Sequence, residues 1–219
     1  MTKTEKKLDN NLCKLLTDVC ETAKDEIQGF QWLTHQVNYN DFPASLKLTC
    51  VFEDNADIKQ LLAEVSNLKA ILTVTPDNVT ALLTDYSDQL KDKQAFCQYV
   101  TTLVDMFCTL FELDSVGLRL TLLDKAMCPK FHVDHVPCRL VTTFSGIATQ
   151  WLPHSKVDRS KLGAGGLGKP DEISGIMQSH TDIEALATGD VALLKGEGWY
   201  NNENAGLVHR SPALLNGNQ

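Results

Sequence analysis

The apolar residues of the N-terminal half recur at spacings of three and four, as one face of a helix requires. From Asn55 to about Leu113 this spacing predicts three helices. Their apolar positions are Ile58, Leu61, Leu62, Val65 and Leu68, then Val79, Leu82 and Leu83 after Pro76-Asp77, then Phe96, Val100, Leu103, Val104, Phe107, Leu110 and Phe111. Before Asn55, Leu12 to Val19 indicates a further helix and Leu46 to Phe52 a short strand. Residues 1–114 are therefore predicted to be a mainly helical flanking region.

After Ser115 the period changes to two, which is typical of strands with two different faces. This period predicts short strands at 116–122, 138–144, 149–152, 191–194 and 207–210. The segment from Lys156 to Asp182 is polar and glycine-rich, and it predicts a long loop or lid. We therefore expect an α+β fold, in which the helical N-terminal half packs on a C-terminal double-stranded β-helix, or jelly roll, at 115–219. The two regions are expected to form one integrated domain.

The charge and composition of the chain argue against nucleic-acid and membrane partners. The net charge is −8, and proteins that grip nucleic acid usually carry a basic stripe, so we expect no nucleic-acid partner. No apolar run approaches the roughly 20 residues that cross a bilayer, and the N-terminus lacks the apolar core of a signal peptide. Seven scattered cysteines indicate reduced thiols rather than a disulfide framework. We expect a cytoplasmic protein without a membrane partner.

Potential metal ligands are most concentrated in the segment Cys-Pro-Lys-Phe-His-Val-Asp-His-Val-Pro-Cys, residues 128–138. On an extended chain, residues two apart share a face, so His132 and Asp134 point the same way and His135 points the other way. An imidazole beside a carboxylate makes two-thirds of the facial triad that holds Fe(II) and leaves coordination positions open. The third ligand is expected on a later strand folded back against the first, where His209 lies. We therefore predict a mononuclear metal site of His132, Asp134 and His209.

A second interpretation uses the same segment differently. Cys128, His132, His135 and Cys138 have the spacing C-x3-H-x2-H-x2-C, which suits tetrahedral zinc. All four converge only if the segment curls into a knuckle, and the prolines at 129 and 137 permit some curling. The alternative prediction is therefore a closed zinc site.

The glycine-rich segment at 163–169, Trp151 and Arg139 are further candidates for a ligand pocket. Gly163 to Lys169 satisfies G-x-G-x-x-G and G-x4-G-K, but no buried strand precedes it and Pro170 replaces the hydroxyl residue of a phosphate loop, so we interpret it as a lid or linker. Trp151 is either a pocket wall or a core side chain. Arg139 either holds an anionic ligand or pairs with an acidic neighbour.

Three motifs of the sequence resemble an uncharacterised bacterial family, a domain of unknown function. They are Cys-Pro-Lys-Phe-His-Val-Asp-His-Val-Pro at 128–137, Gly-Asp-Val-Ala-Leu-Leu-Lys-Gly-Glu-Gly-Trp at 189–199, and Gly-Leu-Val-His-Arg-Ser-Pro at 206–212. The likeness covers most of the chain after about Thr49. It implies a connection with metal, since such genes are often found near zinc-responsive ones, but it implies no reaction.

A more distant resemblance is to the Fe(II)/2-oxoglutarate dioxygenase superfamily, whose double-stranded β-helix carries H-x-D and a distal histidine. By that likeness His132, Asp134 and His209 are the iron ligands and 2-oxoglutarate is a cofactor. The superfamily carries an arginine or lysine about ten residues after the distal histidine, and this sequence has none there. Either the chain is short of its last strand, or another base such as Arg139 or Arg210 pairs with the 2-oxoglutarate carboxylate.

The leading hypothesis is a non-haem Fe(II)/2-oxoglutarate-dependent oxygenase-like enzyme acting on a small molecule or a protein side chain. The rival class is a non-catalytic zinc-binding protein in zinc homeostasis, which would use Cys128, His132, His135 and Cys138. A cupin-like enzyme such as an isomerase, with the same ligands and another metal, is a third possibility.

Overall fold

The computed structural model describes residues 3–26, 30–38, 45–52, 65–66, 68–91, 93–123 and 125–212. The elements, in chain order, are α1 (Lys3–Glu26), β1 (Phe30–Asn38), β2 (Ser45–Phe52), β3 (Lys69–Val74), α2 (Val79–Tyr86), α3 (Gln94–Phe111), β4 (Val116–Thr121), β5 (Cys138–Thr142), β6 (Gln150–Leu152), α4 (Asp171–Ser174), β7 (Glu184–Ala185), β8 (Val191–Lys195) and β9 (Val208–Arg210). No helix among these residues is long and apolar enough to span a bilayer.

The chain divides into two compact units, Met1–Glu53 with Lys125–Gln219, and Asp54–Asp124. Mixed helix and sheet occurs in both. In the described residues, the strands form four small antiparallel sheets, in the orders β1-β2, β3-β4, β5-β8 and β7-β6-β9. None of these sheets closes into a barrel.

The unit at 54–124 contains two of the predicted helices and one strand that the helical pattern did not predict. The segments through Leu83 and Phe96 form α2 and α3 as predicted, and their apolar faces are buried. The predicted helix through Ile58 lies largely outside the described residues. Residues 69–74 are a strand rather than part of a helical run, because Ile71, Thr73 and Val74 are β-branched and pair with β4.

The other unit holds the strands on which the candidate ligands lie. The strands predicted around Leu140, Trp151, Ala192 and Val208 are confirmed as β5, β6, β8 and β9. The segment 156–182 has no long element, as predicted, and consists of short 3₁₀ turns and the four-residue α4. A small core of Phe131, Leu152, Ile176 and Val208 lies under β6 and β9.

Candidate metal centre

Three neighbouring chain segments place the two histidines side by side. His132 forms an antiparallel bridge with His209, in which each backbone N–H donates to the other residue's carbonyl, at 3.0 Å and 2.9 Å. On the other side of β9, Trp151 of β6 is directly opposite His209. Residues directly opposite each other on antiparallel strands project from the same face of a sheet. His132, His209 and Trp151 therefore form a row on one face.

The alternation of side chains explains why this face carries polar ligands. Phe131, Leu152 and Val208 immediately precede or follow members of the row, and all three are buried in the small core. Because successive strand residues point to opposite faces, burial of these apolar side chains turns the histidines to the other face. Asp134 lies two residues after His132 and faces the same way. Core packing thus orients the three candidate ligands.

The candidate ligand atoms of His132, Asp134 and His209 all lie within 4.8 Å of one another. His209 Nε2 is 3.7 Å from Asp134 Oδ2, and these two side chains are 8% and 11% exposed. The imidazole centroids of His132 and His209 are 4.5 Å apart. In the part of the chain that the structure describes, this is the one group of three or more histidine, cysteine and carboxylate side chains spaced to share an ion.

Both imidazoles are held in the same tautomer. His132 Nδ1 lies 2.9 Å from the carbonyl oxygen of Lys130, and His209 Nδ1 lies 3.0 Å from that of Leu207. A carbonyl oxygen only accepts hydrogen bonds, so each Nδ1 carries the proton and each Nε2 keeps its lone pair. Imidazoles that bind metal are oriented in this way by a hydrogen bond at the other nitrogen. The donor set therefore fits a divalent metal.

The charges of the site favour the protonation states that bind metal. Burial would raise the pKa of Asp134, but hydrogen bonds and the charge of Arg139, with smaller contributions from the two imidazoles, lower that pKa overall. Arg139 grips both carboxylate oxygens, with Nε 2.7 Å from Oδ2 and Nη2 3.1 Å from Oδ1. Burial lowers the pKa of His209, which favours the neutral imidazole. The site thus combines an ionised carboxylate with neutral imidazole.

A glycine turn supports the segment that carries Asp134. Glu197 N–H donates to the carbonyl of Asp134 at 2.8 Å, and Gly196 N–H donates to that of Pro137 at 2.9 Å. A Cβ at Gly196 would lie 2.0 Å from the Val136 carbonyl oxygen, so only glycine allows this approach. The Lys-Gly-Glu-Gly-Trp motif therefore acts as a brace behind the ligand segment.

The alternative zinc ligands lie apart from this group. Cys128 is exposed and Cys138 is half-buried, and both are free thiols. The side chain of His135 is 88% exposed and lies 3.7 Å from a Glu197 oxygen. The structure places none of these three with His132 in a four-ligand cluster. The chain bends at 135–137 before it enters β5, and this bend does not bring the four side chains together.

The residues predicted to bind 2-oxoglutarate occupy different positions relative to the ligands. Arg139 contacts Asp134 directly, as described above. Arg210 Nη1 lies 3.1 Å from both Asp171 Oδ2 and Glu172 Oε1, and its guanidinium stacks on the Phe131 ring at 4.4 Å. It therefore lies on the core side of β9. Trp151 is half-buried beside His209.

Sequence reasoning missed Asp171, which connects the loop at 156–182 to the ligand strand. Its buried carboxylate accepts from Phe131 N–H at 2.8 Å and pairs with Arg210 at 3.1 Å. The bonds fix the residue that precedes His132 and the residue that follows His209. The sequence shows only an acidic residue after Pro170 in a glycine-rich loop. This pattern does not indicate which residues Asp171 contacts.

The fold and the donor set define a class, namely mixed α/β proteins with a candidate mononuclear site of two histidines and one carboxylate. The chain matches, over residues 43–219, the family described as "Protein of unknown function (DUF1826)", and it belongs to that family. The family resemblance drawn from the three motifs is thereby confirmed. Searches of curated proteins and of solved structures gave no match to the chain.

Proposed function

We propose that this protein is a metal-dependent enzyme of the non-haem Fe(II)/2-oxoglutarate oxygenase type. The observation that carries the proposal is the convergence of His132, Asp134 and His209, with both Nε2 lone pairs free and the carboxylate ionised. Two imidazoles and one carboxylate are the ligand set of the facial triad, which leaves coordination positions open for reactants. When bound, Fe(II) would supply oxidation of a substrate by O₂ with 2-oxoglutarate as the co-reductant.

The protein residues have separate tasks under this proposal. His132 and His209 hold the metal through Nε2, and the carbonyls of Lys130 and Leu207 keep the imidazoles from rotating. Arg139 orients the Asp134 carboxylate through its two hydrogen bonds and leaves further lone pairs on both oxygens. Trp151, next to His209, shields one side of the row from water.

Binding of 2-oxoglutarate requires a basic side chain that pairs with its carboxylate. Arg139 is proposed to hold the cofactor's carboxylate, because Arg210 lies on the core side of β9, and each of the two already donates to carboxylates of the protein. Binding would therefore require an exchange of carboxylate partners rather than capture by a free guanidinium. The proposal rests on the ligand set and not on a jelly roll, because the described strands form separate small sheets.

Metal analysis of purified variants tests the ligand assignment. After expression in metal-defined medium, His209→Gln and Asp134→Asn are expected to lose stoichiometric metal, while the matched Cys128→Ser, Cys138→Ser double variant retains it. Retention by the first pair with loss in the cysteine variant would instead support the non-catalytic zinc protein. Zinc in the wild-type preparation does not decide between them, because zinc outcompetes iron in mixed nitrogen and oxygen sites.

The reaction class needs its own experiment. Anaerobic titration of Fe(II)-loaded protein with 2-oxoglutarate is expected to give a visible charge-transfer band, and admission of O₂ is expected to give succinate. Asp134→Asn provides the control for free Fe(II) in solution. Absence of both the band and succinate would refute the oxygenase assignment while leaving the metal site in place.

A further inference from the structure

A cavity of about 140 Å³ lies beside His132. Its walls include Lys130, Lys161 and Lys169, the edge of His132, and the backbone of Gly163 and Gly166. It is smaller than the pockets of roughly 300 Å³ or more that enclose drug-sized ligands. Its size suits a small polar group, and His132, one of the three candidate ligands, is among its lining residues.

The cavity concentrates positive charge in a segment whose total charge is balanced. Residues 125–212 hold nine lysines and arginines and nine aspartates and glutamates, yet three lysines line this one cavity. Asp171 is the only carboxylate among the lining residues, and Arg210 and the Phe131 N–H already engage it. Among the described residues, neither Lys161 nor Lys169 has a carboxylate oxygen within the 4.0 Å of an ion pair. A concave surface of one charge focuses the field and attracts counter-charge.

Glycines allow the loop that carries Lys161 and Lys169 to pack closely on its own backbone. A Cβ at Gly165 would lie 1.8 Å from the Ser160 carbonyl oxygen, and one at Gly166 would lie 3.0 Å from that of Lys161. Gly163 has a φ of +54°, a backbone conformation that residues other than glycine rarely adopt. Lys130 donates to the carbonyls of Gly168 and Lys169 at 3.2 Å and 3.1 Å, which fixes the far end of the loop. These contacts hold the loop residues that line the cavity in place.

We propose that this cavity binds the oxyanion of a small acidic substrate, a carboxylate or a phosphate group, and presents the rest of that substrate to the metal at His132. The proposal rests on the proposed function for the metal end and specifies the class of substrate. Lys161 and Lys169 supply the charge for recognition. Lys130 has a structural part as well, because it also holds the loop.

Anion titration of the full-length chain tests this proposal with probes that lack a metal-chelating oxo group. Inorganic phosphate and succinate are titrated calorimetrically into metal-free and Mn(II)-loaded protein. Removal of each charge, in Lys161→Gln and Lys169→Gln, is expected to weaken binding about 5-fold, as loss of a solvent-accessible ion pair does. The double variant is expected to lose roughly 25-fold if the two effects add. Added salt should weaken binding to the wild type.

Lys156→Gln is the matched control, because Lys156 lies in the same loop but outside the cavity and pairs with Asp182 at 3.2 Å. Unchanged affinity in this control, with loss in the cavity variants, supports the proposal. Tighter binding of succinate identifies a carboxylate as the group, and tighter binding of phosphate identifies a phosphate.

Two results overturn it: no saturable binding of either anion to the wild type, or equal losses in Lys156→Gln and the cavity variants. Thermal unfolding of each variant shows whether the protein is folded. Because His209→Gln removes metal but leaves the lysines in place, anion binding that persists in this variant separates failure of the metal site from failure of the cavity.

Discussion

The substitution Gly196→Ala should damage the metal centre without touching a ligand. The new methyl group would lie 2.0 Å from the carbonyl oxygen of Val136 and 2.7 Å from that of Asp134, whereas ordinary contact starts at 3.4 Å. Both opposing atoms are backbone, so no side chain can rotate away. The φ of Gly196 is not positive, and the effect is therefore steric. The segment that carries Asp134 must retreat, or the turn must open.

The structure gives the size of this effect. Overpacking of this kind costs about 1–3 kcal/mol, and the bonds from Gly196 N–H to Pro137 and from Glu197 N–H to Asp134 contribute about 1 kcal/mol each if lost. A total of about 3–5 kcal/mol corresponds to a fall in Tm of about 6–20 °C for a chain of this size. Displacement of a residue that supports a ligand lowers metal affinity about 10- to 100-fold.

Differential scanning calorimetry and metal titration measure the two effects in the same preparation. Gly117→Ala is the control, because nothing lies within 4 Å of the position a Cβ would take there. If Gly196→Ala melts within about 2 °C of the wild type and binds metal normally, the inferred brace behind Asp134 does not exist.

Three further predictions concern stability and its dependence on pH. Leu152→Ala empties a fully buried position of the small core and should cost about 2–5 kcal/mol in denaturant unfolding; a smaller loss would show that the core collapses around the cavity. Asn202→Ala removes the buried Nδ2 donor to the Gly196 carbonyl, now at 2.8 Å, and should cost about 1–3 kcal/mol, against little change for exposed Glu203→Ala. Burial lowers the pKa of His209 from 6.5. The metal-free protein should therefore lose stability as pH falls below about 6.5, where the unfolded chain takes up a proton first, and the loss should level off below the folded-state pKa. Urea unfolding at several pH values should show this slope in the wild type and a weaker one in His209→Gln; equal slopes would contradict the assignment.

The sequence allowed the candidate ligands to be predicted because two local rules act on the same residues. Strand alternation places His132 and Asp134 on one face, and the apolar neighbours Phe131 and Val208 specify which face is turned to the core. The late strand that carries His209 was also visible from its period. The structure brings these three side chains together, although the metal and the reaction remain proposals.

Other features depend on contacts that no local pattern encodes. The strand β3 lies in a run whose apolar spacing fits a helix, and its pairing with β4 depends on residues more than forty positions away. Pairing with an acidic neighbour was one of the two uses expected for Arg139, but the sequence did not name Asp134, which Arg139 reaches because the chain turns between them. The three lysines of the cavity are distributed over the sequence, and the folded loop alone brings them together. Period and composition cannot specify such tertiary contacts.

The paired backbone hydrogen bonds between His132 and His209 join positions seventy-seven apart in the chain. A contact of such long range closes a large loop and forms late, because its entropic cost precedes its stabilisation. A ribosome-bound chain that exposes His132 still lacks the partner strand until position 210 has emerged. Acquisition of an ion by all three side chains is therefore expected only after these two strands have paired, so that metal loading would report their pairing.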